Sequence, residues 1–133
     1  MSSPVGVGVI GAGTISDTYL ENLSNFADTE VLADRLAPEV VLEVDTYWAY
    51  AGGADVPALL TRLGNRVLAL HLKDGDGSLD TSKQVPLGSG VLPVWDIVDA
   101  APEALRVVEL DDSETDLLEA VRAGREFLLA DRA

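Results

Sequence analysis

Val67-Leu-Ala-Leu-His-Leu-Lys-Asp-Gly75 decides how this chain is read. Its first six residues form an apolar run of strand length, and the run ends in residues that carry chemistry rather than packing. Upstream, Asp55 caps a helix predicted over 56–63 and Gly64 ends it, so a helix leads directly into the strand. Before that helix, Val40 to Val44 reads as another strand from its β-branched content, and Pro38 stops whatever precedes it. Downstream, Lys73 to Leu87 is rich in Asp, Gly and Ser and predicts a long loop. A short helix follows over 94–100, then a strand over 106–110. The longest helix is expected from Ser113 to about Leu129, with Leu117, Leu118, Val121, Phe127 and Leu128 facing inward.

The same alternation occupies the beginning of the chain. Val5 to Ile10 reads as a short buried strand closed by Gly11-Ala-Gly13. Thr14 or Ser16 then caps a helix to about Phe26, with Ile15, Tyr19, Leu20 and Leu23 on one face. Residues 29–33 fit either a short strand or a helical turn. Strands alternating with helices predict βαβ units, hence an α/β fold with a parallel sheet of four or five strands in a single domain.

Composition narrows the function classes. The 133 residues carry a net charge of −14 with nine Lys and Arg scattered and none before Arg35, which disfavours nucleic acid as a partner. The absence of Cys excludes disulfides, zinc ribbons and thiol nucleophiles, and fits a reducing cytoplasm. No apolar run approaches the ~18 residues of a membrane span, so no membrane partner is expected. A complete (β/α)8 barrel needs roughly 250 residues, more than this sequence holds.

Taken singly, the polar residues at the strand ends have ordinary readings. Asp45 before Thr46 fits a turn or cap, and His71 a hydrogen-bonded structural residue. Glu109, beside Asp111 and Asp112, fits a solvated acidic loop, and Gly88 and Gly90 fit backbone turns. Trp95, at helical spacing, fits packing rather than ligand contact.

Two resemblances go further. Gly11-x-Gly13-x-x-Ser16 between strand and helix suits close approach of a pyrophosphate to backbone and to a helix N-terminus. The run from Val7 to Ser16, followed by Thr29 to Ala33, resembles the start of the Gfo/Idh/MocA family of NAD(P)-dependent oxidoreductases. That resemblance implies a Rossmann-type βα unit with Gly11, Gly13, Thr14 and Ile15 near the cofactor and Asp34 near its ribose. The rest of that family's crevice has no counterpart, so NAD(P) binding is expected to be weak or absent.

From about residue 36 the chain resembles the C-terminal half of the sugar phosphate isomerase/epimerase family of xylose-isomerase-like barrels. The resemblance rests on four motifs in order: Val41-Leu-Glu-Val-Asp45-Thr-Tyr-Trp48, Ala69-Leu-His71-Leu-Lys73-Asp74-Gly75, Pro86-Leu-Gly88-Ser-Gly90 and Val107-Val-Glu109-Leu-Asp-Asp112. It implies a half barrel that binds a divalent metal (Mn, Mg, Co or Zn) through Asp45, His71 and Glu109, residue types suited to such ions. It also makes Glu109 an acid/base group, lines the substrate site with Lys73 and Asp74, and sets Trp48 as an apolar wall against the sugar. The substrate class it implies is a sugar or sugar phosphate. The family's fourth ligand, an upstream Glu, is matched by none of Glu21, Glu30 and Glu39. The two resemblances meet near Ala33 to Leu36, as in a fusion of two coding regions. An NAD(P)-binding oxidoreductase fragment and a non-catalytic fusion product are the competing readings. Exposed parallel edges predict self-association into a homodimer.

Overall fold

The computed structural model describes residue 37 and residues 39–130. The strand and helix expected over 5–26, the segment 29–33, the join near Ala33 to Leu36, and Gly11, Gly13, Thr14, Ile15 and Asp34 all lie outside the described residues.

Among the described residues, three strands and four α-helices follow in chain order: β1 (Leu42–Asp45), α1 (Thr46–Ala51), α2 (Val56–Leu63), β2 (Val67–Leu72), α3 (Val94–Ala100), β3 (Leu105–Val108) and α4 (Leu117–Leu129). The strands form one sheet in the order β1-β2-β3, with both pairings parallel. The α/β class and the parallel sheet are therefore as expected. The sheet among the described residues has three strands, not four or five. The long stretch between β2 and α3 adds no strand, only a 3-10 turn at Thr81–Lys83 and one antiparallel bridge between Asp74 and Val85. Its Asp, Gly and Ser residues form local turns instead, as where Ser78 N–H bonds the Asp76 carboxylate and Ser82 N–H that of Asp80.

Local chemistry explains the element ends. The Asp55 carboxylate accepts the N–H of Ala58, Pro57 fits the first turn of α2, and Gly64 leaves it at φ +57°, a region open to glycine. β1 begins two residues later than expected because Val40 N–H closes a turn onto the Ala37 carbonyl. The helix expected from Ser113 starts only at Leu117, capped by Asp116. Residues 113–115 are committed elsewhere: the Ser113 hydroxyl donates to the Gln84 carbonyl at 2.7 Å and Glu114 N–H to that of Ser82 at 3.0 Å.

The core is built on Tyr47, Leu60, Leu70, Leu72, Ile97 and Val98, with Val44 and Val108 packed against it. Helix α4 corrects the expected inward face. Phe127 and Leu128 pack on the core, but Leu117, Leu118 and Val121 are exposed, and the buried positions are Ala120 and Gly124. Small residues let the helix come close: a Cβ on Gly124 would stand 3.0 Å from Val108 Cγ1 and 3.4 Å from Leu87 Cγ. Leu118 is 76 % exposed, so Leu118→Gln should change the unfolding free energy by no more than about 0.5 kcal/mol in urea denaturation. A loss above about 1.5 kcal/mol would show that this face is covered.

No helix among the described residues is long and apolar enough to cross a membrane.

Candidate metal and carboxylate site

Register brings the strand ends together. Asp45 lies opposite His71 across the β1–β2 ladder, and His71 lies opposite Val107 across β2–β3, two residues before Glu109. Because side chains alternate along a strand, Glu43, Asp45, His71 and Glu109 fall on one face of the sheet, while Val44, Leu70, Leu72 and Val108 fall on the other. Glu109 lies just beyond β3, yet its N–H still donates to the Leu72 carbonyl at 3.2 Å. The Thr46 hydroxyl donates to the His71 carbonyl at 2.9 Å, tying the start of α1 to the middle of the site.

Asp45, His71 and Glu109 each offer one ligand atom, and the three atoms lie within 4.8 Å of one another. Asp45 also fills its ordinary role: Oδ1 caps α1 by accepting Trp48 N–H at 3.1 Å, leaving Oδ2 for Lys73. Both nitrogens of His71 face carboxylates, Nδ1 standing 2.5 Å from Glu109 Oε2 and Nε2 3.1 Å from Glu43 Oε1. Glu109 Oε2 is buried and accepts no hydrogen bond of good geometry, although His71 and Lys73 are close.

Lys73 organises the polar cluster. Its side chain is 2 % exposed, and its ammonium reaches Asp45 Oδ2 and Asp111 Oδ2, each at 2.9 Å, and Glu109 Oε2 at 3.4 Å. Burial alone would lower its pKa, but the Asp45 and Asp111 carboxylates outweigh burial and hold it above the ordinary lysine value. For Asp45 the balance goes the other way. Desolvation raises its pKa above the usual carboxylate value despite the pull of Lys73. The ammonium also stands 5.9 Å from the Trp48 ring centroid, within reach of a cation–π contact. Trp48 stacks edge-on against Tyr47, and its Nε1–H is buried without an acceptor.

Asp74, the neighbour of Lys73, belongs to a different set of contacts. Its carboxylate is fully buried and accepts four backbone N–H groups, from Gly75, Gly88, Gly90 and Leu92, at 2.9–3.1 Å. A Cβ on Gly90 would sit 2.2 Å from Asp74 Oδ1, which explains glycine there. Trp95 stacks on Phe127 with centroids 4.9 Å apart, consistent with a packing role.

Three residues of the cluster were not singled out from the sequence. Glu43 could have been: it precedes Asp45 by two on a strand and so shares its face. Asp111 follows Glu109 by two, beyond the end of β3. Gln84 carries no such signal. It comes from the long loop, is fully buried, and clamps Asp111 by donating Nε2–H to Oδ2 at 2.8 Å and accepting the Asp111 N–H at 2.7 Å.

The donor set suits a divalent ion. Asp45, Glu109 and Asp111 supply three negative charges against the single positive charge of Lys73, so these four groups are left two charges short of balance, before Glu43 is counted. Ions such as Mn²⁺, Mg²⁺, Co²⁺ and Zn²⁺ accept mixed carboxylate and imidazole ligands. In comparisons with known proteins, the chain matches no family model and no curated protein.

Proposed function

We propose that the described residues form part of a divalent-metal-dependent isomerase or epimerase site for a sugar or sugar phosphate, carried on a sector of a β/α barrel. The observation that carries this reading is the meeting of Asp45, His71 and Glu109, from the ends of three adjacent parallel strands, around a buried Glu109 oxygen that accepts no hydrogen bond. Strand C-terminal ends are where barrel enzymes assemble their sites. The bound ion would supply Lewis acidity toward a sugar carbonyl and its neighbouring hydroxyl. Asp45, His71 and Glu109 would hold it. Glu109 would also take the proton from the hydroxyl-bearing carbon beside the carbonyl and deliver it to the former carbonyl carbon, while the hydroxyl proton passes to the former carbonyl oxygen, so that the carbonyl moves by one carbon. Lys73, itself held by Asp111, keeps Asp45 and Glu109 in place and offsets part of their charge.

Thermal unfolding with Mn²⁺ tests the site. At a hundredfold excess over Kd, specific binding adds about 2.7 kcal/mol, a rise of about 10 °C in Tm for a domain this size. The wild type should show that rise and His71→Ala should not. Equal shifts in both proteins would mean that ions collect diffusely on the −14 surface, and the reading would fall.

A further inference from the structure

We propose that Glu43 is the positioning residue for His71: it accepts the Nε2–H hydrogen bond and thereby presents the Nδ1 lone pair to the metal beside Asp45 and Glu109. This rests on the metal reading above and adds to it a residue on the far side of the imidazole ring. Three observations carry it. Glu43 Oε1 stands 3.1 Å from Nε2, whereas the ring's other nitrogen stands 2.5 Å from Glu109 Oε2. Glu43 stands at the ring nitrogen away from Glu109 and is not among the three side chains whose ligand atoms converge. Its place is dictated by the backbone, since Glu43 and Asp45 share one face of β1 and β2 lies in register beside them.

The physical logic is that of tautomer selection. A neutral imidazole has one N–H and one lone pair, and a ligand nitrogen must offer the lone pair. Left alone, the ring can turn its N–H toward Glu109, which blocks the nitrogen that faces the site. A carboxylate on Nε2 makes the opposite tautomer the favoured one, and it fixes the ring plane as well. Such outer partners typically change metal affinity about 10–100-fold. Asp45 is already held by Trp48 N–H and Lys73, so Glu43 completes the set by holding the imidazole.

His71 is the single histidine of the chain, so ¹⁵N-histidine labelling reports this ring alone. The probe is Zn²⁺, which is diamagnetic, titrated into the full chain with long-range ¹H–¹⁵N spectra and calorimetry. In the wild type, Zn²⁺ should shift Nδ1 as a metal-bound nitrogen and leave Nε2 protonated. Glu43→Ala should weaken Zn²⁺ binding about 10–100-fold. Glu43→Gln, whose amide oxygen still accepts the Nε2–H, should stay within about threefold of wild type. The Glu43 side chain is 57 % exposed, so both variants should keep the fold, checked by the metal-free Tm. Coordination through Nε2, or an unchanged Zn²⁺ affinity in Glu43→Ala, overturns the role of Glu43 while the metal reading stands. Zn²⁺ that leaves both ring nitrogens unmoved overturns the metal reading, and the role of Glu43 with it.

Discussion

Asp74→Ala should cost about 4 kcal/mol of unfolding free energy, close to the whole stability of a marginal small domain. The carboxylate is fully buried and collects four N–H groups. Hydrogen bonds to a charged acceptor contribute about 1.5–3 kcal/mol each, and they are not additive. Exposure decides how much of that is lost. Gly88 and Gly90 are exposed, so water can replace the carboxylate there, whereas the N–H groups of Gly75 and Leu92 belong to buried residues and lose their partner outright. Asp74→Asn keeps one acceptor oxygen but turns an NH₂ group toward two donors, and should lose roughly half as much. Urea denaturation of the three proteins checks the order. If Asp74 instead served mainly to contact substrate, the alanine variant would fold within about 1 kcal/mol of wild type and fail only in ligand binding, and Asp74 would not be what holds the loop.

Lys73→Met should destabilise the protein by about 3 kcal/mol at neutral pH, because removing one partner of a buried ion pair leaves its counter-charges facing each other. Asp45 and Asp111 are each about a quarter exposed, which lets some water in and keeps the loss from being larger. The pH dependence has a definite sign. The folded-state pKa of Lys73 is raised above 10.5, so its contribution is fully present below 10.5 and is lost as the pH rises through the folded value. The gap between wild type and variant should therefore close only in strongly alkaline solution. On the acid side it should also narrow. Burial lifts the Asp45 carboxyl above 3.8, so the folded protein takes up that proton before the unfolded chain does, and the repulsion left by the missing ammonium fades. Mn²⁺ should raise the Tm of Lys73→Met by more than that of wild type, since the cation then meets the carboxylates without a competing ammonium. Melting curves across pH, with and without Mn²⁺, read all three effects; a gap that stays constant from neutral to strongly alkaline pH would rule out Lys73 as its source.

Much of the described fold was legible because its signals are local. Asp55 and Gly64 bracket α2 through contacts that reach three or four residues, and the apolar run at β2 ends where the chain turns polar. Alternation of strand and helix was enough for the parallel α/β class. The residues Asp45, His71 and Glu109 were legible as strand-end positions, but their approach to within 4.8 Å depends on register between strands that the sequence does not state. The start of α4 and its buried face depended on what packs there. Ser113 and Glu114 are drawn off by Gln84 and Ser82, and Gly124 settles against Val108.

Two aspartates show where the boundary lies. Asp55 binds an N–H three residues ahead, so residue type and position along the chain were sufficient to assign its cap. Asp74 binds groups fourteen, sixteen and eighteen residues ahead, and Lys73 binds carboxylates twenty-eight residues behind and thirty-eight ahead. The sequence by itself indicated α2, β2, α3 and the residue types at the strand ends, but not α1 or the start of α4. Only the tertiary structure decided which charges meet, because partners so far apart along the chain are chosen by how the loops close over the sheet, and loop closure has no short-range pattern.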